Sequence, residues 1–256
     1  MKSNNIILIL IFISFSGILN GCSGCSQSGI RSKQIIRSYS DRSKSRNIKP
    51  SENNNITHNN SYTSNNKTLP LNELYEKYKS SVFIIYTSDG VNSYQGTGFF
   101  VSKSGIAISN YHVFKGTSKG LEIIETSDKN KFKIEKVLDK NSANDYIIFK
   151  VRLSNHIIKS PIPIAYKEPQ IGEDVFAISN PRGLENTLSK GIVSGFRNGK
   201  QLIQTTTEIT HGSSGGPLLN MRGEVVGITS AGFGEANLNF AVNIKYLPLQ
   251  KYILNN

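Results

Sequence analysis

The sequence predicts an all-β fold: two six-stranded antiparallel β-barrels side by side, a short helix at each end, and a disordered tether in front. Three observations lead there. From Ser81 onward, short stretches rich in β-branched and aromatic residues alternate with clusters of turn formers. A Ser160-Pro161-Ile162-Pro163 connector divides these stretches into two runs of about six. No cysteine occurs after Cys25. The folded part must therefore rest on an apolar core, which a chain of about 185 residues can build.

The elements follow in order. Residues 1–21 read as a signal peptide. Lys2 supplies the positive end and Ile6 to Phe15 the apolar run, too short for the ~20 residues that span a bilayer. Leu19-Asn20-Gly21-Cys22 resembles the lipobox of bacterial lipoproteins, with Asn20 a less usual residue at its position. That resemblance implies cleavage before Cys22 and a diacylglycerol on its thiol; ordinary cleavage would leave Cys22 and Cys25 to pair or stay free.

Residues 22–69 read as a disordered linker. Nineteen of the 47 positions from Ser23 to Leu69 are Ser or Asn, too polar to offset the entropy of ordering. Eight basic residues stand there against two acidic ones, half of the formal net charge of +12. The charge solvates the segment or draws it to an anionic membrane or wall polymer. From Leu71 on there are 21 basic and 16 acidic residues, with no dense basic face carrying aromatic platforms, so nucleic acid is not an expected partner.

The ordered domain is expected over 70–256. Leu71, Leu74, Tyr75 and Tyr78 share one helical face after Pro70. Strand-like stretches at 81–87, 96–102, 106–110, 121–125, 132–138 and 146–151 build barrel one, about 81–160. Those at 174–178, 189–196, 201–206, 217–219, 225–230 and 239–242 build barrel two, about 161–247. Leu249, Tyr252 and Ile253 mark the closing helix.

The chemistry centres on Thr210 to Asn220, THGSSGGPLLN. A serine hydroxyl reacts at neutral pH only with a base in reach and a third group orienting that base. Of the four histidines, His58 lies in the tether, His156 in a polar loop, and His211 too close along the chain to face Ser214 squarely. His112 ends the strand-like run 106–113 and is the candidate base. Asp145, opening the apolar run 146–151, is the candidate orienting acid; Asp139, in the polar stretch Asp139-Lys140-Asn141-Ser142, is its rival. Ser214 is the candidate nucleophile, with the N–H groups of Gly212 and Ser214 as the oxyanion hole and Ser213 as a spacer. A Gly-Ser turn without chemistry is the plain alternative for this segment. Gly212 to Gly216 also fits the G-x-S-x-G elbow of α/β-hydrolases, but no histidine follows Ser214, as that fold requires.

Over roughly 81–247 the sequence resembles trypsin-like serine proteases of the HtrA/Deg type, which have the chymotrypsin-like double barrel. The residues are Gly96 to Val101 (G-S-G-F-like), Ser109 to Val113 (T-N-x-H-V-like), Asn144 to Val151 (D-L-A-like), Ile178 to Leu184 (I-G-N-P-x-G-L-like), Ser189 to Ser194, Gln204-Thr205, Gly212 to Leu218, and Asn239 to Val242. The order His112, Asp145, Ser214 is that of the same proteases. The resemblance implies endopeptidase activity on protein or peptide substrates, often unfolded, in the cell envelope, with no metal or other cofactor. Ser213 departs from the more frequent Asn, and the chain ends at Asn256, so no PDZ domain is expected. Glu208, six residues before Ser214, is a candidate wall of the primary substrate pocket that would favour basic residues; Ser230 and Ala231 are further candidates. The expected location is the cell envelope, as an exported, membrane-anchored lipoprotein. A catalytically silent double barrel serving as a peptide-binding or envelope scaffold is the alternative function.

Overall fold

The computed structural model describes residues 69–154, 156–180, 186–233 and 238–253, and the side chains of 231–233 are not described. The expected signal peptide, Cys22 and all of the expected linker but Leu69 lie outside the described residues. No helix among the described residues is long and apolar enough to cross a membrane.

Helix α1 (Leu71–Tyr78) forms where the sequence placed it and buries Leu74 and Tyr78. Seven antiparallel strands follow: β1 (Val82–Ser88), β2 (Ser93–Phe100), β3 (Ile106–Ser109), β4 (Ile123–Thr126), β5 (Lys131–Phe132), β6 (Ile134–Asn141) and β7 (Tyr146–Val151). They make one sheet in the order β5-β4-β1-β2-β3-β7-β6. The second half carries β8 (Asp174–Ser179), β9 (Thr187–Arg197), β10 (Leu202–Thr205), β11 (Pro217–Asn220), β12 (Val225–Phe233) and β13 (Leu238–Asn243). These close into a barrel, β10-β13-β12-β11-β8-β9. A short α2 (Gln250–Ile253) ends the described chain. The fold class is the expected one. The first half differs in strand count because 131–141 divides into β5 and β6, and the latter takes in Asp139, expected in a loop.

Side chains on a strand point alternately to its two faces, and on strands such as β7 and β8 both faces are apolar. On β7, Ile147, Phe149 and Val151 enter the interior of the first sheet with Phe83, Ile85 and Phe100. Tyr146 and Ile148 face the other way and join Val82, Phe99, Ile106 and Ile108. From the barrel, β8 sends Phe176 and Ile178 into that same cluster, together with Leu219 and Ile228. Its alternate residues Val175 and Ala177 fill the barrel interior with Val193, Ile203, Leu218 and Ala241. Three apolar layers result, and the central one welds the two halves together. Each large side chain fully buried there is worth about 1.5–3 kcal/mol relative to exposure.

The β1–β2 hairpin is closed by Asp89, whose carboxylate accepts from the N–H groups of Val91 and Asn92 and from the Tyr94 hydroxyl. The Asn92 and Val91 N–H groups hold this carboxyl far below the usual carboxylate range.

Helix α1 packs on the β11–β12 turn at Gly223, which has φ +76°. A Cβ there would lie 2.6 Å from Tyr78 Cε2 and 2.9 Å from Leu74 Cδ2. Gly90, with φ +96°, has nothing within 4 Å of the same added atom. Gly90→Ala should therefore cost only the backbone strain, about 1–2 kcal/mol, and Gly223→Ala about 1–3 kcal/mol more as it displaces the helix. Urea unfolding of the two variants checks this, and equal losses would show that α1 does not rest on the turn.

Candidate active site

Strand β3 stops at Ser109, and a 3-10 turn, Tyr111–Phe114, carries His112. The histidine thus lies on a turn beyond the strand rather than at the end of it. The strand cannot continue because Val113 folds back inside: its side chain fills the space over Gly96, and its carbonyl accepts from Thr87 Oγ1 at 3.0 Å. Pairing of Ser109 with Ile147 across β3 and β7 brings His112 beside Asp145.

Asp145 has φ +49°, in the left-handed region. Non-glycine residues are uncommon there and need support. Support comes from the buried Asn110, whose Nδ2 donates to Asp145 O at 2.9 Å. The bend aims the carboxylate back along the chain. Oδ1 accepts from the His112 N–H at 2.9 Å, and Oδ2 lies 2.8 Å from His112 Nδ1. Oδ2 also accepts from Ser230 Oγ at 2.9 Å. An ionised carboxylate only accepts, so Nδ1 carries a ring proton, and in the neutral imidazole this leaves Nε2 as the acceptor. The His112 side chain is 43% exposed, against 25% for Asp145.

The loop from Thr207 to Gly216 lies between β10 and β11. Gly212 and Gly215 have φ +92° and +91°. At Gly215 a Cβ would fall on Thr97 O and Ser109 Oγ, so only glycine fits. Ser213 is buried; its N–H donates to Thr210 O at 2.9 Å, and its Oγ accepts from Ser179 Oγ at 3.0 Å. Ser214 Oγ donates to Ser230 O at 2.6 Å. No hydrogen bond joins it to the His112 ring among the described residues. Ser230 therefore touches both halves of the site, its hydroxyl on Asp145 and its carbonyl under Ser214. Among the described residues the N–H groups of Gly212 and Ser214 have no acceptor.

The structure thus brings His112, Asp145, Ser214 and Ser230 into one hydrogen-bonded group, with Gly212 beside it in the chain. Glu208 is exposed between buried Thr207 and Ile209, and its carbonyl accepts from Ser189 Oγ. His211 and His156 are exposed, the latter edge-on to Phe132. The side chain of Ala231 lies outside the described residues. Asp139 sits on β6 and accepts from Tyr252 OH at 3.3 Å, apart from His112. Sequence reasoning missed the Ser230 hydroxyl as a partner of Asp145, and Asn110 as the support of its bend. The signal for Asn110 was a polar residue just past the end of an apolar strand; Ser230, within β12, gave none.

Such a group supplies an imidazole of fixed tautomer, a carboxylate to hold its charge, a serine hydroxyl, and two free backbone donors. Residues 96–228, just over half of the chain, match the trypsin-like peptidase domain. The chain is 35% identical over 165 residues to the putative serine protease HhoA of Synechocystis, a match covering 59% of this chain and 40% of that protein. It is 30% identical over 197 residues to the chloroplastic Protease Do-like 5 of Arabidopsis thaliana, covering 67% of this chain and 61% of that one. It is 35% identical over 165 residues to a probable periplasmic serine endoprotease, DegP-like, of Pseudomonas savastanoi, covering 58% and 32%. The crystal structure of the serine endoprotease from Yersinia pestis superposes with a TM-score of 0.60 at 26% identity, over 68% of this chain and 63% of that one. The matches thus span from about a third to about three-fifths of these relatives' lengths.

Proposed function

The chain belongs to the trypsin-like peptidase family, and on that premise we propose that it is a serine endopeptidase of the HtrA/Deg type that cleaves protein substrates through an acyl-enzyme. The observation that carries this reading is the Asp145 carboxylate, bonded to the backbone and ring of His112 and to Ser230, whose carbonyl holds the Ser214 hydroxyl.

The chemistry runs as follows. Rotation of the Ser214 side chain moves its hydroxyl from Ser230 O to His112 Nε2. As Oγ attacks the scissile carbonyl carbon, its proton passes to Nε2, and the imidazolium is held by Asp145. The carbonyl oxygen becomes an oxyanion and accepts from the N–H groups of Gly212 and Ser214; each such donor is worth about 10²–10³ in turnover. Collapse of the tetrahedral species breaks the C–N bond, and His112 returns the proton to the departing amine. Water then attacks the Ser214 ester, giving its proton to His112, and the second collapse releases the acid and restores the hydroxyl. No metal or organic cofactor enters any step.

The site of action follows from the N-terminus. We place the protein in the cell envelope, exported by residues 1–21 and anchored through lipid on Cys22, with 22–69 as the spacer. The relative from Pseudomonas savastanoi, named as periplasmic, supports this placement.

A fluorophosphonate probe is expected to label the full chain once, at Ser214, with labelling lost in Ser214→Ala. His112→Ala should slow labelling by several powers of ten while the protein stays folded. Folded wild-type protein that refuses the probe would favour a silent peptide-binding scaffold. Cys22→Ala should move the protein from the membrane fraction of its cells to the soluble one; retention at the membrane would remove the lipid anchor from the account.

A further inference from the structure

We propose that Thr97 is a positioning residue for the oxyanion-binding loop, an assignment that rests on reading Ser214 as the nucleophile. Thr97 lies on β2 of the first sheet and is fully buried. A buried hydroxyl and a buried amide must find partners. Both find them across the junction. Oγ1 donates to Gly212 O at 2.6 Å and accepts from the Asn180 N–H at 3.1 Å. The Thr97 N–H donates to Ser214 O at 2.8 Å.

The strand register explains why Thr97 is free to do this. On one side of β2 it pairs with Ile84 of β1. On the other side β3 pairs only with Phe99 and Phe100. The edge at Thr97 is left open, and the loop 212–214 occupies it in place of a strand. The Thr97 carbonyl, on the same edge, accepts from Ser109 Oγ at 2.7 Å, which keeps β2 from drifting.

The effect on the loop follows from peptide planarity. Thr229 Oγ1 donates to Ser213 O at 2.7 Å. That bond fixes the peptide that bears the Ser214 N–H. Gly212, at φ +92°, is the soft point, because glycine turns about its own bonds at little cost. The Thr97 hydroxyl holds the Gly212 carbonyl, and with the Ser213 N–H on Thr210 O it fixes the 212–213 peptide; the Gly212 N–H, on the preceding peptide, is then restrained through the Gly212 Cα. Gly212 and Ser214 then keep their N–H groups directed at one spot, without reorganisation when the oxyanion forms.

The test uses the full chain with three substitutions: Thr97→Val, which keeps the shape and loses the hydroxyl; Thr97→Ser, which keeps the hydroxyl; and Thr97→Cys, a weak donor. The readouts are the rate of fluorophosphonate labelling, kcat and KM on dye-labelled casein, and urea unfolding. Loss of a whole oxyanion donor costs about 10²–10³, so misalignment should cost about ten- to a hundredfold. Thr97→Val is expected to lower kcat and the labelling rate by that factor with KM within about threefold, and Thr97→Ser to stay within about threefold of wild type. A kcat for Thr97→Val equal to wild type would overturn the assignment. So would a fall shared by Thr97→Val and Thr97→Ser that tracks lost stability, the mark of a mere staple. Should Thr97→Val not fold, folded Thr97→Cys must show the drop, and full activity there overturns the assignment. Folded wild type that never takes the probe sinks the nucleophile reading as well; labelled wild type with an indifferent Thr97→Val sinks this inference alone.

Discussion

Three consecutive carbonyl oxygens, those of Gly212, Ser213 and Ser214, are each held by a threonine: Thr97 Oγ1, Thr229 Oγ1 and the Thr97 N–H. A glycine-rich loop left to itself samples many conformations. Tying down its carbonyls fixes its peptide planes; on those planes the Ser213 and Gly215 N–H groups are taken by Thr210 O and Thr229 O, and the Ser214 N–H is left for a ligand. The two Thr97 bonds cross from the first sheet to the closed barrel, while that of Thr229 lies within the barrel half, so the loop takes its full shape only when both halves are folded against each other. Asp145 does the equivalent for the imidazole, gripping ring and backbone at once.

The junction is rigid because it sits on the central apolar layer. Strands β3, β7, β8 and β11 each give one face to the interior of their own half and the other to the shared cluster. The polar groups of the site lie at the rim of that layer, where Ser109, Thr97 and Thr229 are buried yet paired and Asn110 is paired through its Nδ2. The apolar layer supplies the attraction between the halves, and the hydrogen bonds at its rim set their register. That division matches the general balance between burial, which is large and non-directional, and hydrogen bonds, which are modest in net energy but costly to leave unmade.

Much of this was readable in the chain. The strands were legible because apolar residues on both faces leave unbroken runs such as YIIFKV at 146–151, and the same pattern hid which face went where. His112 and Asp145 stood out by their position beside such runs, and Ser214 by its glycines. The 3-10 turn under His112 was not legible: Ile106 to Val113 reads as one strand, and only the inward fold of Val113 over Gly96 ends it. Asp139 looked like loop by its polar neighbours, but an edge strand with exposed positions tolerates Asp, Lys and Asn. Thr97 and Ser230 were hidden for another reason. Their partners lie far off in sequence, and neither spacing nor periodicity reports a contact made through tertiary closure.

The most direct measurement is a crystal structure of the protein with a phosphonate bound covalently to Ser214 Oγ, a stable mimic of the tetrahedral species. The account predicts the phosphonyl oxygen within about 2.7–3.1 Å of both the Gly212 and Ser214 nitrogens, with the Gly212 carbonyl still on Thr97 Oγ1. An adduct whose oxygen turns to solvent, or a loop that has released Thr97 to receive it, would contradict the claim that the loop is set in advance by its threonines.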